Sequence, residues 1–183
     1  MARVVALNEW TIRAERPDDA DAVGALLRDA FGGQDEARLV AALHAAGAAP
    51  VALVAVGDEG ADADTDAVIG HVLFSPLIVE TDRGEIGAAA LAPLAVAGGW
   101  RRRGIGAALC REGIERCREL GVPGMVVLGD PAFYGRFGFR ADLAAGFVSP
   151  WSGPHLMALE LAPGGLGGGA CRLRYHPAFE GLG

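Results

Sequence analysis

The stretch that decides how this chain folds is Ala88-Ala89-Ala90-Leu91-Ala92-Pro93-Leu94-Ala95-Val96, followed after Ala97-Gly98-Gly99-Trp100 by Arg101-Arg102-Arg103-Gly104-Ile105-Gly106-Ala107-Ala108-Leu109. The first part reads as an apolar strand and the last part as the start of a helix. Between them lie three adjacent arginines and a glycine. Strand, basic glycine-containing turn, helix is how a backbone presents free N–H groups to a phosphate. Three positive charges at the positive end of a helix are unfavourable unless an anion sits there. The competing reading is a solvated basic helix start. The Walker pattern, which needs Gly-Lys-Ser/Thr, is absent, and only Gly104 and Gly106 of a three-glycine dinucleotide fingerprint occur.

Pro93 stands in mid-strand, where a proline cannot donate to a ladder. Two readings stay open. One is a bulge at which the strand parts from its neighbour, leaving backbone groups free for an extended amide ligand. The other is a simple edge strand.

Working outward, residues 10–14 read as a short strand. Pro17-Asp18-Asp19 opens a helix, with proline in the first turn and acids at its positive end. Ala22, Val23, Leu26, Leu27 and Ala30 recur at helical spacing. After Gly32-Gly33, residues 36–46 predict a second helix with Leu39, Val40 and Leu43 on one face. Strands are expected over 51–56, 68–80 and 85–96. Pro76 bends or interrupts the second of these, and Asp82-Arg83-Gly84 forms a hairpin turn after it. The acidic segment 58–66 reads as a turn or mobile loop. Residues 103–120 predict a long helix that faces Ile105, Leu109, Ile114 and Cys117 inward and ends at Gly121. A strand over 125–128 and a short helix or turn over 131–137 follow. Later strands are expected near Phe147, over 155–161 and over 171–175, with a glycine loop at 164–169. This order predicts an α/β (α+β) fold with a mixed sheet rather than a doubly wound one. One domain is expected over 1–183, with its motif-bearing core at about 10–140 and C-terminal strands in 141–183.

Composition narrows the function classes. At 183 residues with 51% hydrophobic residues, the chain can bury a core of its own. Its apolar runs are broken well before the ~18 residues of a membrane span, and residues 1–13 lack a signal-peptide core, so a soluble cytoplasmic protein with no membrane partner is expected. All sixteen basic residues are arginine; with abundant Ala and Gly, this is the composition of a GC-rich bacterial genome. The lack of lysine removes Schiff-base chemistry. A net charge of −7 argues against nonspecific nucleic-acid binding, although Arg101, Arg102, Arg103 and Arg111 make a local field of the opposite sign. Cys110, Cys117 and Cys171 suggest small core residues rather than a disulfide framework, and no ligand spacing points to a metal.

Tyr134 lies in Pro131-Ala132-Phe133-Tyr134-Gly135-Arg136-Phe137-Gly138-Phe139-Arg140. This is an aromatic cluster suited to core packing, but a phenol beside a ligand also donates a proton to a leaving group. Taken in order, Leu94-x-Val96, Arg101-x-x-Gly104-x-Gly106, a long helix, a strand and Phe133-Tyr134-Gly135-Arg136-Phe137-Gly138-Phe139 resemble the GNAT acetyltransferase superfamily over roughly residues 12–140. Leu128-Gly129-Asp130-Pro131-Ala132-Phe133-Tyr134 and the tail from Ser149-Pro150-Trp151 resemble its YhbS-type bacterial branch.

The resemblance implies a mostly antiparallel central sheet flanked by helices, with strands splayed at a coenzyme A site. It implies acetyl-CoA as co-substrate and no metal. The pyrophosphate would rest on Arg101, Arg102, Arg103, Gly104, Ile105, Gly106 and Ala107, with guanidinium contacts. The pantetheine would run along Leu94, Ala95 and Val96, with Phe133 and Tyr134 beside the cofactor. A backbone N–H near Leu94 or Val96 would polarise the acetyl carbonyl, and Tyr134 would protonate the departing thiolate. Asp130 would contact the pantetheine or orient the acceptor. Two departures from the family pattern are Gly129-Asp130-Pro131 and Gly98. The strand 88–96 carries no Glu, Asp or His, so the candidate general bases are Asp130, His71 and Glu85, or a water chain. His71 also reads as a structural histidine on an apolar strand. His155 and His176 read as mostly structural, and Trp151 as packing or as cover for the acceptor cleft.

The expected function is acetyl transfer to a primary amine of a small molecule or peptide by direct attack. The acidic balance leans towards a cationic acceptor. The alternatives are a non-catalytic acyl-CoA sensor or interaction module, and a domain for another nucleotide. The expected assembly is a monomer or a homodimer.

Overall fold

In the computed structural model, which describes residues 9–57 and 67–182, β1 (Trp10–Ala14), β2 (Val51–Gly57), β3 (Ala67–Thr81) and β4 (Gly84–Val96) pair antiparallel in that order. β4 then runs parallel to β5 (Gly124–Leu128), and β5 antiparallel to β7 (Leu156–Glu160). β6 (Phe147–Val148) lies parallel to β8 (Cys171–Tyr175), which joins the second half of β3. The sheet is thus mixed, as the element order predicts, and mostly antiparallel, as the resemblance implies. The expected acidic loop at 58–66 lies outside the described residues.

Helices cover both faces. α1 (Ala20–Phe31) and α2 (Asp35–Ala45) bury Val23, Leu26, Leu27, Leu39, Val40 and Leu43 on one face. On the other, α3 (Ile105–Glu119) buries Ile105, Leu109, Cys110, Ile114 and Cys117, a 3.6-residue stripe. Fully burying Ile105 or Leu109 contributes about 1.5–3 kcal/mol each. α3 sits close to the sheet: a Cβ on Gly113 would come within 2.1 Å of Phe74 Cε2. One on Gly70 would come within 3.0 Å of Ile105 Cγ2 and Leu109 Cδ1. The helix starts at Ile105 rather than at 103, because Gly104 takes φ 84 as its N-cap.

Pro93 acts as the bulge reading requires. Val72 pairs with Leu94 and Phe74 with Leu91, so Ala92 and Pro93 together oppose Leu73. An edge strand is excluded, because β4 has partners on both sides up to Leu91. Its parallel pairing with β5 stops at Leu91 and Val127. Beyond that point the two strands splay. Pro76, by contrast, does not interrupt β3, which runs through it for 15 residues. Pro76 stands where β2 has ended, at Phe74, and β8 has not begun, at Leu77. Its missing N–H therefore interrupts neither of those two pairings.

A second interior contact fixes the face under α2. The fully buried His71 brings Nε2 to 2.9 Å from Glu15 Oε2, and His44 Nε2 on α2 reaches the same oxygen at 3.1 Å. Burial opposes ionisation of Glu15, but the hydrogen bonds and charges of His71 and His44 outweigh it and hold its pKa below the ordinary value. A carboxylate depressed in this way stabilises the fold above its unfolded pKa of ~4.3, and that stability is lost as pH falls through the lower folded value. Glu15→Gln is therefore expected to lower the thermal midpoint at pH 7, with the difference from wild type shrinking below about pH 4. A difference that stays constant from pH 7 to pH 3 would contradict this.

Candidate active site

The splay leaves one edge of β4 without a partner strand. Ala97 donates its N–H to Ile69 O at 2.8 Å, so it faces β3. Alternation along the strand turns the Ala95 N–H the same way and aims those of Leu94 and Val96 at the opened edge. Arg101 Nε holds the end of this edge by donating to Val96 O at 3.2 Å.

At that end, Val96, Trp100, Arg101, Arg102, Gly104, Ile105, Gly106, Ala107, Phe133 and Arg136 line a cavity of about 480 Å³. Among the described residues, no side chain caps the N-terminus of α3, and its first residues line this cavity with the positive end of the helix dipole. The chain turns into the helix through two left-handed residues, Arg102 at φ 62 and Gly104 at φ 84, a kind of turn that lets backbone N–H groups converge on an anion. Gly106 lies over Val96 and Phe133, with a notional Cβ 3.5 and 3.6 Å from their side chains.

A second cavity, of about 230 Å³, lies where β4 and β5 part. Ala90, Leu91, Ala92, Pro93 and Leu94 line it from β4, and Val126, Val127 and Leu128 from β5. Tyr134, at the end of α4 (Pro131–Tyr134), closes one side. Its ring meets Phe133 and Phe139 edge-on, with centroids 4.9 and 5.9 Å away. Burial pushes the phenol pKa upward, so the hydroxyl stays protonated through neutral pH. That hydroxyl has no hydrogen-bond partner among the described residues.

The candidates from the sequence separate by place. Leu94, Val96, Arg101, Arg102, Gly104, Ile105, Gly106, Ala107, Phe133 and Tyr134 all line one of the two cavities. Ala95 is buried in the core beneath them. Arg103 turns away, with Nη1 3.0 Å from Glu9 Oε2 and its guanidinium over the Trp100 ring. Asp130 caps α4 by accepting from Ala132 N at 2.8 Å, while its carbonyl accepts from Tyr134 N at 3.0 Å, so it fixes the turn that carries Tyr134. His71 lines neither cavity and is engaged by Glu15. Glu85 is exposed beside the hairpin, bound to Arg174 at 2.6 Å, roughly 30 Å along β4 from Leu94. Cys110 and Cys117 are core thiols whose pKa burial pushes up to about 12. Among the described residues, no group of His, Cys, Asp or Glu could hold a metal ion, and no helix is long and apolar enough to cross a membrane.

Other lining residues escaped the sequence reading. Arg136 stacks over Phe133 at 4.7 Å and faces the first cavity; its spacing three residues after Phe133 was the available signal. Trp100 lines the same cavity. Phe31, Glu36, Tyr175, Phe179 and Leu182 come to the second cavity from distant segments, joined by Trp151. No local pattern in the sequence announces that meeting.

A model of the Acetyltransferase (GNAT) family matches residues 8–139. The uncharacterized N-acetyltransferase YhbS of Escherichia coli K12 is 37% identical over 171 residues, 92% of this chain and 98% of that protein. The crystal structure of E. coli YhbS in complex with CoA is similar at a TM-score of 0.82 and 36% identity, covering 96% of this chain and 94% of that one. A GNAT family acetyltransferase from Brucella melitensis, solved in complex with acetyl-CoA, is similar at 0.75 and 33%, covering 93% and 97%.

The position of the Tyr134 ring depends on Gly129, where a Cβ would come within 2.4 Å of Tyr134 Cε2. His155 holds that glycine, with Nδ1 3.2 Å from Gly129 O. Gly129→Ala should destabilise the fold by about 1–3 kcal/mol, and by much less on a Tyr134→Ala background. Denaturant titrations of the four proteins in that cycle measure the coupling. Equal costs in the two backgrounds would show that the ring is not the obstacle.

Proposed function

The chain belongs to the GNAT acetyltransferase family, and from that premise we propose that it moves an acetyl group from acetyl-CoA to a primary amine of a small molecule or peptide by direct attack. The single observation that carries this reading is the meeting of three features at one splay: the open edge of β4, the uncapped start of α3 and the unpartnered Tyr134 hydroxyl.

In this reading the pyrophosphate of acetyl-CoA lies on the N–H groups of Arg102 to Ala107. Arg101, Arg102 and Arg136 supply charge-assisted contacts from the rim. The residues fit that group: the cradle is basic, its helix end is uncapped, and Gly104 takes a left-handed φ of 84. The pantetheine amides continue the ladder that β5 abandons, along the edge of Leu94, Ala95 and Val96. The thioester carbonyl accepts from the N–H of Leu94 or Val96. The amine nitrogen attacks that carbonyl carbon, and the same N–H stabilises the oxyanion that develops. The carbon–sulfur bond then breaks, and Tyr134 gives its proton to the leaving sulfur. Of the three candidate bases, His71 and Glu85 lie away from this point and Asp130 caps α4. The proton lost by the amine therefore passes to water in the cleft. We read residues 1–183 as one such domain, because β7 and β8 complete the sheet begun by the core, and we place its work in the cytoplasm, where acetyl-CoA is made.

The displacement of those candidate bases also favours a second reading, an acyl-CoA sensor that binds without turnover. One experiment separates the two. Tyr134→Phe is expected to lower kcat by about 10²–10⁴-fold, with the acetyl-CoA Kd from calorimetry unchanged. Acetyl-CoA binding without CoA release across a broad amine panel would favour the sensor. Failure to bind acetyl-CoA would overturn both.

A further inference from the structure

Among the described residues, Glu36 is the one carboxylate that lines the cavity closed by Tyr134. It is half-buried in the first turn of α2, and no described residue pairs with it. An acid in that turn also complements the helix dipole. Asp35 already does this from solvent, where it pairs with Arg38 at 3.8 Å. The walls around Glu36 are apolar: Phe31, Trp151, Tyr175 and Phe179, with Trp151 edge-on to Tyr175 at 4.9 Å. Among the described residues, no arginine or histidine lines the cavity.

A half-buried carboxylate beside apolar walls offers a counter-charge to a cation that enters the cavity, and aromatic faces also attract an ammonium group. The space is small. Its volume of about 230 Å³ is below the roughly 300–1,000 Å³ of ordinary ligand pockets, and the acetylated thiol arm must share it. We infer that the acetyl acceptor is a small primary amine with an apolar body, an alkylamine or arylalkylamine, whose ammonium group is received by Glu36 and gives up one proton to water of the cleft, so that the neutral nitrogen attacks, while its hydrocarbon packs among Trp151, Tyr175 and Phe179. This rests on the acetyltransfer reading and narrows it. Polyamines, amino sugars and peptide N-termini carry further polar groups. Each one buried there without a partner weakens binding by roughly 10- to 100-fold.

The test measures CoA release from acetyl-CoA with isoamylamine, phenethylamine, spermidine, glucosamine and a tetrapeptide with a free N-terminus. The first two are expected to show the highest kcat/KM, by about tenfold or more. Glu36→Gln should raise KM for phenethylamine about tenfold or more, with the acetyl-CoA Kd unchanged, and Glu36→Asp should recover part of the loss. Calorimetry of phenethylamine against the CoA-loaded protein reads the same site without turnover. Amine binding that needs Glu36 but yields no CoA release would support the site and overturn acetyl transfer. CoA release that favours spermidine, glucosamine or the peptide, or a KM unmoved by Glu36→Gln, would overturn the inference and leave acetyl transfer standing.

Discussion

One extra residue in β4 organises the functional end of this molecule. Because Ala92 and Pro93 share the place opposite Leu73, β4 leaves its parallel pairing with β5 after Leu91. A regular ladder would have bonded the outward N–H groups of Leu94 and Val96 to β5. The bulge leaves them without a strand partner, while Ala95 and Ala97 remain tied to β3. The same departure opens the space into which Tyr134 turns. An open strand edge and a cavity thus come from a single break in pairing within an otherwise continuous sheet.

The arginine run looks electrostatically wrong until its members are followed one by one. Arg103 is drawn off to Glu9 and Trp100, and Arg101 is tied to the Val96 carbonyl. The cradle is therefore mainly backbone: left-handed turns at Arg102 and Gly104 feed an uncapped helix end. Its positive field is local and survives in a chain of net charge −7. Such a field suits a polyanion held along the backbone, because two negative oxygens can share several N–H donors at once.

Much of this was legible in the sequence, because it was written in short segments. The helix stripe of Ile105, Leu109, Ile114 and Cys117 is buried as its 3.6-residue spacing requires. Pro93 raised a break in pairing as one of two readings, because a missing N–H is a local fact, and the partners of β4 decide between them. The same logic misjudged Pro76, since whether a missing donor matters depends on which strands flank it, and there β2 and β8 leave a gap. The engagement of His71 by Glu15 and of Glu85 by Arg174 was not legible, because those partners lie 56 and 89 residues away. The far wall of the second cavity was the least legible. It joins α1, α2, β8 and the segment after it, and Glu36 reads in sequence as an ordinary acid at a helix start.

In the proposed complex, Leu94 and Val96 offer their N–H groups to acetyl-CoA while the start of α3 holds its pyrophosphate. Residue-resolved amide hydrogen exchange, with and without acetyl-CoA, tests it directly. The amides of Leu94, Val96, Ile105, Gly106 and Ala107 are expected to slow on binding, while Ala95 and Ala97 are slow in both states. Binding that leaves Leu94 and Val96 exchanging at their free rate would contradict it.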